Sequence, residues 1–196
     1  MTELTATPQI FGTWEELTAV SSHYAAMTLQ ATQLARHWRR NSLSADYWAT
    51  YAALQTPEVV PTGWLRRDDV AYVLSYLLNE LFENCAKFSA GPEQAVQYQA
   101  WFGDEHILFQ FTNHITPAGE RPFITLIEEL LTSDPDELYF QKLEENAEQD
   151  LGGSGLGYLT LIKDYGIQFG FRFRPISDQT TAVDVQAHVS RKEVEF

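Results

Sequence analysis

The chain has 196 residues, a formal net charge of −14 from 27 acids against 13 bases, and 44% apolar residues with 5 Trp, 9 Tyr and 12 Phe. That is enough chain and aromatic surface for one domain with a sizeable core, and it excludes a disordered polar polypeptide. A surface this acidic repels nucleic acid and anionic lipid, so neither is expected as a main partner.

The single cysteine, Cys85, forbids an internal disulfide framework and suits a reducing cytosol. Purely apolar runs are only a few residues long, so no secretory leader or membrane span is expected and the predicted location is cytoplasmic.

In chain order, residues 1–10 read as a loose start. Thr13 followed by Glu16 is a capping-box pattern and predicts a short helix over 13–20. Residues 22–32 lean to an extended segment, and 33–55 to two helices broken near Asn41–Ser42, with Ser44 capping the second. Pro57 and Pro61-Thr62-Gly63 form a loop. Arg36, Arg39, Arg40, Arg66 and Arg67 hold five of the 13 bases. They fit a solvated, salt-bridged surface, or a dock for an acidic partner or a phosphate.

Asp68 to Ser89 predicts one long amphipathic helix. Val70, Val73, Leu74, Leu77, Leu78, Leu81, Cys85 and Phe88 recur at spacings of three and four. Asp68 and Asp69 suit its positive N-terminal end, and Gly91-Pro92 stops it. Beside the apolar stripe, Glu80, Asn84 and Lys87 stand at i, i+4 and i+7, so an acid, an amide and an ammonium share one helix edge. A solvated edge with a Glu–Lys pair is the plain alternative for this trio.

Beyond Gly91-Pro92 the period becomes two. Val96, Tyr98, Ala100 and Phe102, then Ile107, Phe109 and Phe111, predict a hairpin around Gly103-Asp104. A Pro117/Gly119 loop leads to a helix over 120–133, with Phe123, Leu126, Ile127, Leu130 and Leu131 inward, and a short helix over 135–146 follows. The acid-rich stretch from Glu128 to Asp150 reads as a solvated surface. A glycine loop, Gly153-Ser154-Gly155-Leu156-Gly157, runs into an apolar helix ending at Gly166. Residues 167–173 and 181–190 alternate and predict two more antiparallel strands. The fold class is α+β: a two-layer α/β sandwich, with helices on one face of a mixed, mainly antiparallel sheet.

Glycines opening a helix let backbone N–H groups approach an anion at the positive end of the macrodipole. The loop lacks the strand of a dinucleotide fingerprint and the Lys-Ser/Thr of a P-loop, so by itself it is also an ordinary structural turn. No His/Cys/Asp set has structural-zinc spacing.

Taken together, NELFENCAKFS (79–89) resembles the N box of the GHKL superfamily of ATP-binding domains, the Bergerat fold. GGSGLGYLTLIKDYG (152–166) resembles its second glycine box. The resemblance divides the chain into an N-terminal helical and extended segment, 1–64, packed on a histidine kinase-like ATPase core, 65–196. It implies ATP and Mg2+ as cofactors. Asn84 stands where the family's amide coordinates Mg2+, Lys87 where a base approaches the phosphates, and Glu80 where gyrase-type ATPases and anti-sigma serine kinases have a general base.

Gly153, Ser154, Gly155, Leu156 and Gly157 stand where the family's backbone wraps the phosphates, with 116–152 as the ATP lid. The family's first glycine box ends a strand in Asp-x-Gly-x-Gly. Here the stretch is FTNHITP, with Asn113 in the place of the adenine-binding aspartate and no glycines.

None of the histidines, His23, His37, His106, His114 and His188, sits in a phosphoacceptor context, which argues against a conventional histidine kinase. With RHWRRNSLSADYW ahead of the N box and TNHI after it, the chain most resembles stand-alone atypical bacterial kinases of the SiaB type and a related cyanobacterial regulator class. This implies a cytosolic regulator of a partner-switching circuit that phosphorylates a small partner protein on Ser or Thr. The alternative is a catalytically weak, nucleotide-sensing scaffold. A homodimer is compatible with either.

Overall fold

The computed structural model describes residues 7–17, 24–36, 38–149 and 155–192. Six strands and six helices follow in the order β1 (Gln9–Gly12), β2 (Tyr24–Gln30), α1 (Ala31–Arg36), α2 (Trp38–Ala53), α3 (Arg67–Phe88), β3 (Ala95–Phe102), β4 (His106–Ile115), α4 (Pro117–Thr132), α5 (Pro135–Gln149), α6 (Leu156–Tyr165), β5 (Gln168–Ser177) and β6 (Thr180–Ser190). The strands form one sheet in the order β1-β5-β6-β4-β3-β2, and all five pairings are antiparallel. The expected two-layer sandwich is therefore present, with β1 and β2 from the N-terminal segment supplying both sheet edges.

Alternation along the strands decides which side is covered. Tyr98, Phe109, Phe111, Phe171, Phe173, Val183 and Val185 face the helices and are buried. The central helix is the one its stripe predicts: Val70, Val73, Leu74, Leu77, Leu78, Leu81, Phe82 and Cys85 are buried along α3, while Phe88 is 47% exposed. Phe82 fills the layer between helix and sheet, 5.2 Å from the Phe111 ring and perpendicular to it, and 6.2 Å from Tyr98. Burial pushes the Cys85 thiol up to about 12, so it packs as a small hydrophobe.

Five local expectations are corrected. The loose start contains β1, whose register runs from Gln9 opposite Phe173 to Gly12 opposite Gly170. A Cβ at Gly12 would overlap the Phe169 carbonyl, so this edge needs a glycine. The capping box does not form: the Thr13 N–H donates to the Phe169 carbonyl at 2.8 Å and Thr13–Leu17 is non-helical. Residues 18–20 of that expected helix lie outside the described residues.

The expected break at Asn41–Ser42 is absent, because α2 runs without interruption from Trp38 to Ala53; residue 37, between α1 and α2, lies outside the described residues. Asn41 lies within α2, and its Nδ2 donates to the Leu34 carbonyl at 2.5 Å. An amide that looked like a helix breaker instead satisfies the end of the preceding helix. Finally, α4 begins at Pro117, because Thr116 caps it by accepting from the Gly119 N–H at 3.3 Å and Pro117 needs no donor in the first turn. Leu131, expected inward, is 44% exposed.

Across the outer face of the sheet runs the segment Thr13–Leu17. Glu15 exchanges two hydrogen bonds with the Gln186 side chain, both at 2.9 Å, and Trp14 lies on the Arg172 guanidinium at 4.5 Å. Beneath it, Asp184 is buried among Thr112, Arg172 and Arg174.

Candidate functional site

Between the helical layer and the sheet lies a cavity of about 570 Å3, a size that suits a small-molecule ligand. Leu81, Asn84, Cys85 and Phe88 of α3 form one wall; Phe111, Asn113 and Ile115 of β4, with Val183 and Val185 of β6, form the floor. The opposite side comes from α4, α5 and the start of α6, with Leu126, Lys142, Asn146, Gly155 and Tyr158. Most of this lining is apolar, and a few polar groups converge on it.

At one end stand α3 and the start of α6. Gly155 takes φ 90° and ψ −19°, a left-handed conformation that a side chain would strain, and it opens α6. A Cβ there would also lie 3.0 Å from Leu126 Cδ1. Gly157 follows two residues later in the first turn of α6, and a Cβ on it would overlap the Glu80 carboxylate, 2.7 Å from Cδ. Two segments some 75 residues apart in sequence thus touch through a glycine, and a side chain there would force the Glu80 carboxylate to move. The first-turn N–H groups of α6 lack intrahelical acceptors, as at any helix start.

Glu80 is half-buried. Burial pushes its carboxyl above the usual glutamate range, Glu83 adds to this, and a hydrogen bond with Tyr76 only partly offsets it. Asn84, one turn on, lines the cavity and shares a hydrogen bond with the Tyr158 hydroxyl. Lys87 is exposed; its Nζ lies 5.3 Å over the Phe88 ring, and it is not part of the cavity wall. Leu156 is half-buried in the first turn of α6. Gly153 and Ser154 lie outside the described residues.

At the other end sits Asn113, 7% exposed on β4. Its Oδ1 accepts from Ser89 Oγ at 2.6 Å and from the His114 N–H at 2.8 Å, and its Nδ2 donates to the Cys85 carbonyl at 3.3 Å. Both lone pairs of its oxygen are engaged within the protein.

Several residues of the site were not singled out in the sequence. Tyr76, four residues before Glu80, steadies that carboxylate, and Tyr158 reaches Asn84. Lys142 is held between Glu129 at 2.8 Å and Glu145 at 3.1 Å, joining α5 to α4 over the cavity. Asn146 Nδ2 is buried there with no partner among the described residues. Tyr76 was findable from its i−4 spacing to Glu80; the Lys142 bridge, set among nine acids, was not.

Among the described residues no group of three His, Cys, Asp or Glu is placed to hold a metal, and no helix is long and apolar enough to cross a membrane. No family model and no curated protein matches the chain. Among solved structures, it is similar to a chain of the SiaB–SiaC complex from Pseudomonas aeruginosa, with a TM-score of 0.56 and 14% identity over 77% of this chain and 85% of that one. At that identity the likeness establishes a shared fold, and the fold of this chain is that of its neighbour in the SiaB–SiaC complex.

Proposed function

We propose that this chain is an ATP- and Mg2+-dependent atypical Ser/Thr kinase of the GHKL kind, a cytoplasmic regulator in a partner-switching circuit that phosphorylates a small partner protein. The observation that carries this reading is the meeting of α3 and α6 beside the cavity: Asn84 and Gly155 line it, and Glu80 lies against Gly157 just outside that lining. The structural neighbour, a member of a complex with a partner protein, supports the circuit.

The residues fit a nucleotide unevenly. The phosphate end fits: Asn84 faces the cavity, and the N–H groups opening α6 can bind an anion beside it. The base end differs from the family's, because the Asn113 oxygen is already satisfied by Ser89 and His114, so adenine selection would rest on the apolar walls around Phe88, Ile115 and Leu126. Bound ATP would supply the transferable γ-phosphoryl group, with Mg2+ neutralising its charge.

In this scheme the chain's own groups orient and move a proton. Asn84 would hold the metal, and the N–H groups opening α6 would hold phosphate oxygens. Glu80 accepts the proton of the incoming Ser or Thr hydroxyl as the new O–P bond forms and the β–γ bridging bond breaks, leaving ADP. A carboxylate raised above the ordinary glutamate range by burial is a better base at neutral pH than an exposed one. Tyr76 fixes its orientation.

The saturated Asn113 oxygen and the outward-turned Lys87 favour a second reading, a nucleotide-sensing scaffold that binds its partner without transferring phosphate. Calorimetry with ATP and Mg2+, followed by labelling of captured partners with γ-labelled ATP, separates the two. The kinase reading expects heat and a label on Ser or Thr that disappears in Glu80→Ala. Heat without any label supports the scaffold, and no heat at millimolar ATP removes the nucleotide from both.

A further inference from the structure

The helix α2 is apolar on two sides. Its inner side, Asn41, Ala45, Ala49 and Ala52, is buried against α3 and the sheet. On its outer side Leu43, Tyr47, Tyr51 and the adjoining Leu54 are 69%, 61%, 38% and 58% exposed. Their spacings of four, four and three lay them in one row along the helix, with Arg40 continuing it at the N-terminal end. Tyr47 and Tyr51 stack with ring centres 6.5 Å apart, so the row is continuous apolar surface rather than scattered single residues.

The charge of this row is unlike the rest of the molecule. On a chain of net charge −14, α2 carries Arg39 and Arg40 and a single acid, Asp46. Asp46 is turned aside to accept from Ser75 Oγ of α3. Two copies of so acidic a protein repel almost everywhere, whereas α2 sets two arginines against a single exposed carboxylate, Asp46, that is already hydrogen-bonded to Ser75. Arginines at a helix N-terminus are poorly placed against their own macrodipole, but in an antiparallel pair they meet the negative C-terminal end of the other helix.

A second, independent feature lies on the same side. Strand β2, YAAMTLQ, is a sheet edge with no charge and no proline, and among the described residues it pairs only with β3. Natural edges of seven residues are usually blunted by charges, proline or a cover. α2 sits at this side of the sheet, with Trp48 5.3 Å from Tyr98 and Tyr51 5.8 Å from Phe102, both rings belonging to β3.

We infer that the face formed by the outer row of α2 and the β2 edge is covered by a second copy of this chain, paired across a two-fold axis with the two α2 helices antiparallel. Tyr47 lies midway between Arg40 and Leu54, seven residues from each, about 10 Å along the helix axis. A two-fold axis near Tyr47 therefore sets each Tyr47 against its own copy, and Arg40 of each chain beside Leu54 and the helix C-terminus of the other. This inference does not depend on the kinase reading.

Sedimentation equilibrium of the full chain at micromolar concentration tests it. The expected mass is twice the 22.4 kDa of one chain. The double variant Leu43→Lys/Tyr47→Lys, at two exposed positions, is expected to weaken the dimer by about 100-fold or more, while Phe140→Lys, equally exposed on α5, leaves it intact. Two lysines can also disturb the helix, so mild oxidation of Tyr47→Cys provides the second measurement: the chain is expected to cross-link to itself, and a mixture of Arg40→Cys and Leu54→Cys chains to cross-link as heterodimers. A monomeric wild-type chain, a dimer indifferent to Leu43→Lys/Tyr47→Lys, or no cross-link through Tyr47→Cys would each overturn the inference. A monomer that instead binds an acidic partner through α2 would overturn it too.

Discussion

Two carboxylates on opposite faces of the sheet are treated in opposite ways. Asp184, on the outer face, is fully buried, yet it accepts from Thr112 at 2.7 Å, Arg172 at 2.9 Å and Arg174 at 2.8 and 3.0 Å. Burial alone would push its carboxyl up, but the hydrogen bonds and charge of Arg174, with Thr112 and Arg172, bring it below the usual aspartate range. Glu80, on the helix side, is also drawn out of water but receives no cation among the described residues. Burial, then Glu83, push it up, with Tyr76 as its one offset. A structural carboxylate is surrounded until its charge is safe; one left costly in its charged form is suited to receive a proton.

The contrast can be broken from either side. The largest expected effect on folding is Asp184→Ala, which removes the buried acceptor shared by Thr112, Arg172 and Arg174. Because both arginines reach solvent and Arg172 keeps Glu16, a loss of about 2–4 kcal/mol is expected, and at roughly 2–4 °C per kcal/mol for a domain of this size it is readable by thermal melting. Glu80→Ala is expected to leave the fold as stable as before or more so, while phosphate transfer to the partner falls by about 10²–10⁴-fold. If Glu80→Ala instead unfolds the chain and Asp184→Ala does not, the assignment of roles is reversed.

Acidity separates the two further. Asp184 holds its proton less tightly in the folded chain than in the unfolded one, so its stabilisation is present above the ordinary aspartate range and lost as pH falls through its lowered folded value. For Glu80 the sign is opposite. The folded chain binds its proton more tightly, so its charge costs stability at neutral pH, and the cost is relieved as pH falls through the raised value towards the ordinary glutamate range. Melting curves against pH are therefore expected to show Glu80→Gln above the wild type at neutral pH and converging on it in acid. Asp184→Asn falls below the wild type at neutral pH and converges on it in stronger acid.

Smaller effects sharpen the geometry around Glu80. Gly157→Ala drives a methyl into the carboxylate and is expected to cost about 1–3 kcal/mol. In a Glu80→Ala background the same change should cost less, by about 0.5 kcal/mol or more, because the clash is gone. Asn113→Asp keeps an acceptor for Ser89 and the His114 N–H but sets a buried carboxylate oxygen against the Cys85 carbonyl, and about 1–3 kcal/mol is expected in denaturant titration at neutral pH, less in acid where the carboxyl is protonated.

How much of this was readable in advance follows from how local each signal is. The stripe of α3 and the alternation of β3 to β6 lie in contiguous residues, so periodicity exposes them. β1 is four residues long, and its partner in the sheet lies more than 150 residues away, with Gln9 opposite Phe173, so nothing near it announces a strand. The capping box of Thr13 was a sound local pattern overridden by the pull of the sheet edge on the Thr13 N–H. Asn41 misled because a side chain that breaks one helix can equally close the one before it.

At the site, the row Glu80, Asn84, Lys87 was legible as a helix edge, but which of the three faces the cavity was not. That depends on where α6 docks: Asn84 alone of the three lines the cavity, Glu80 is turned against Gly157 of α6, and Lys87 is left beyond Phe88 in solvent. The walls of the cavity come from α3, β4, β6, α4, α5 and α6, and no window of sequence contains them.

The account turns on whether Glu80 accepts a proton in a phosphoryl transfer. The most direct measurement is labelling of a native lysate with γ-labelled ATP and Mg2+ in the presence of the wild-type chain or Glu80→Gln, followed by phosphoamino-acid analysis. The account predicts a small protein carrying phosphoserine or phosphothreonine only with the wild-type chain, its labelling rate rising with pH through a value above the ordinary glutamate range. Equal labelling by the two proteins, or none by either, would contradict it.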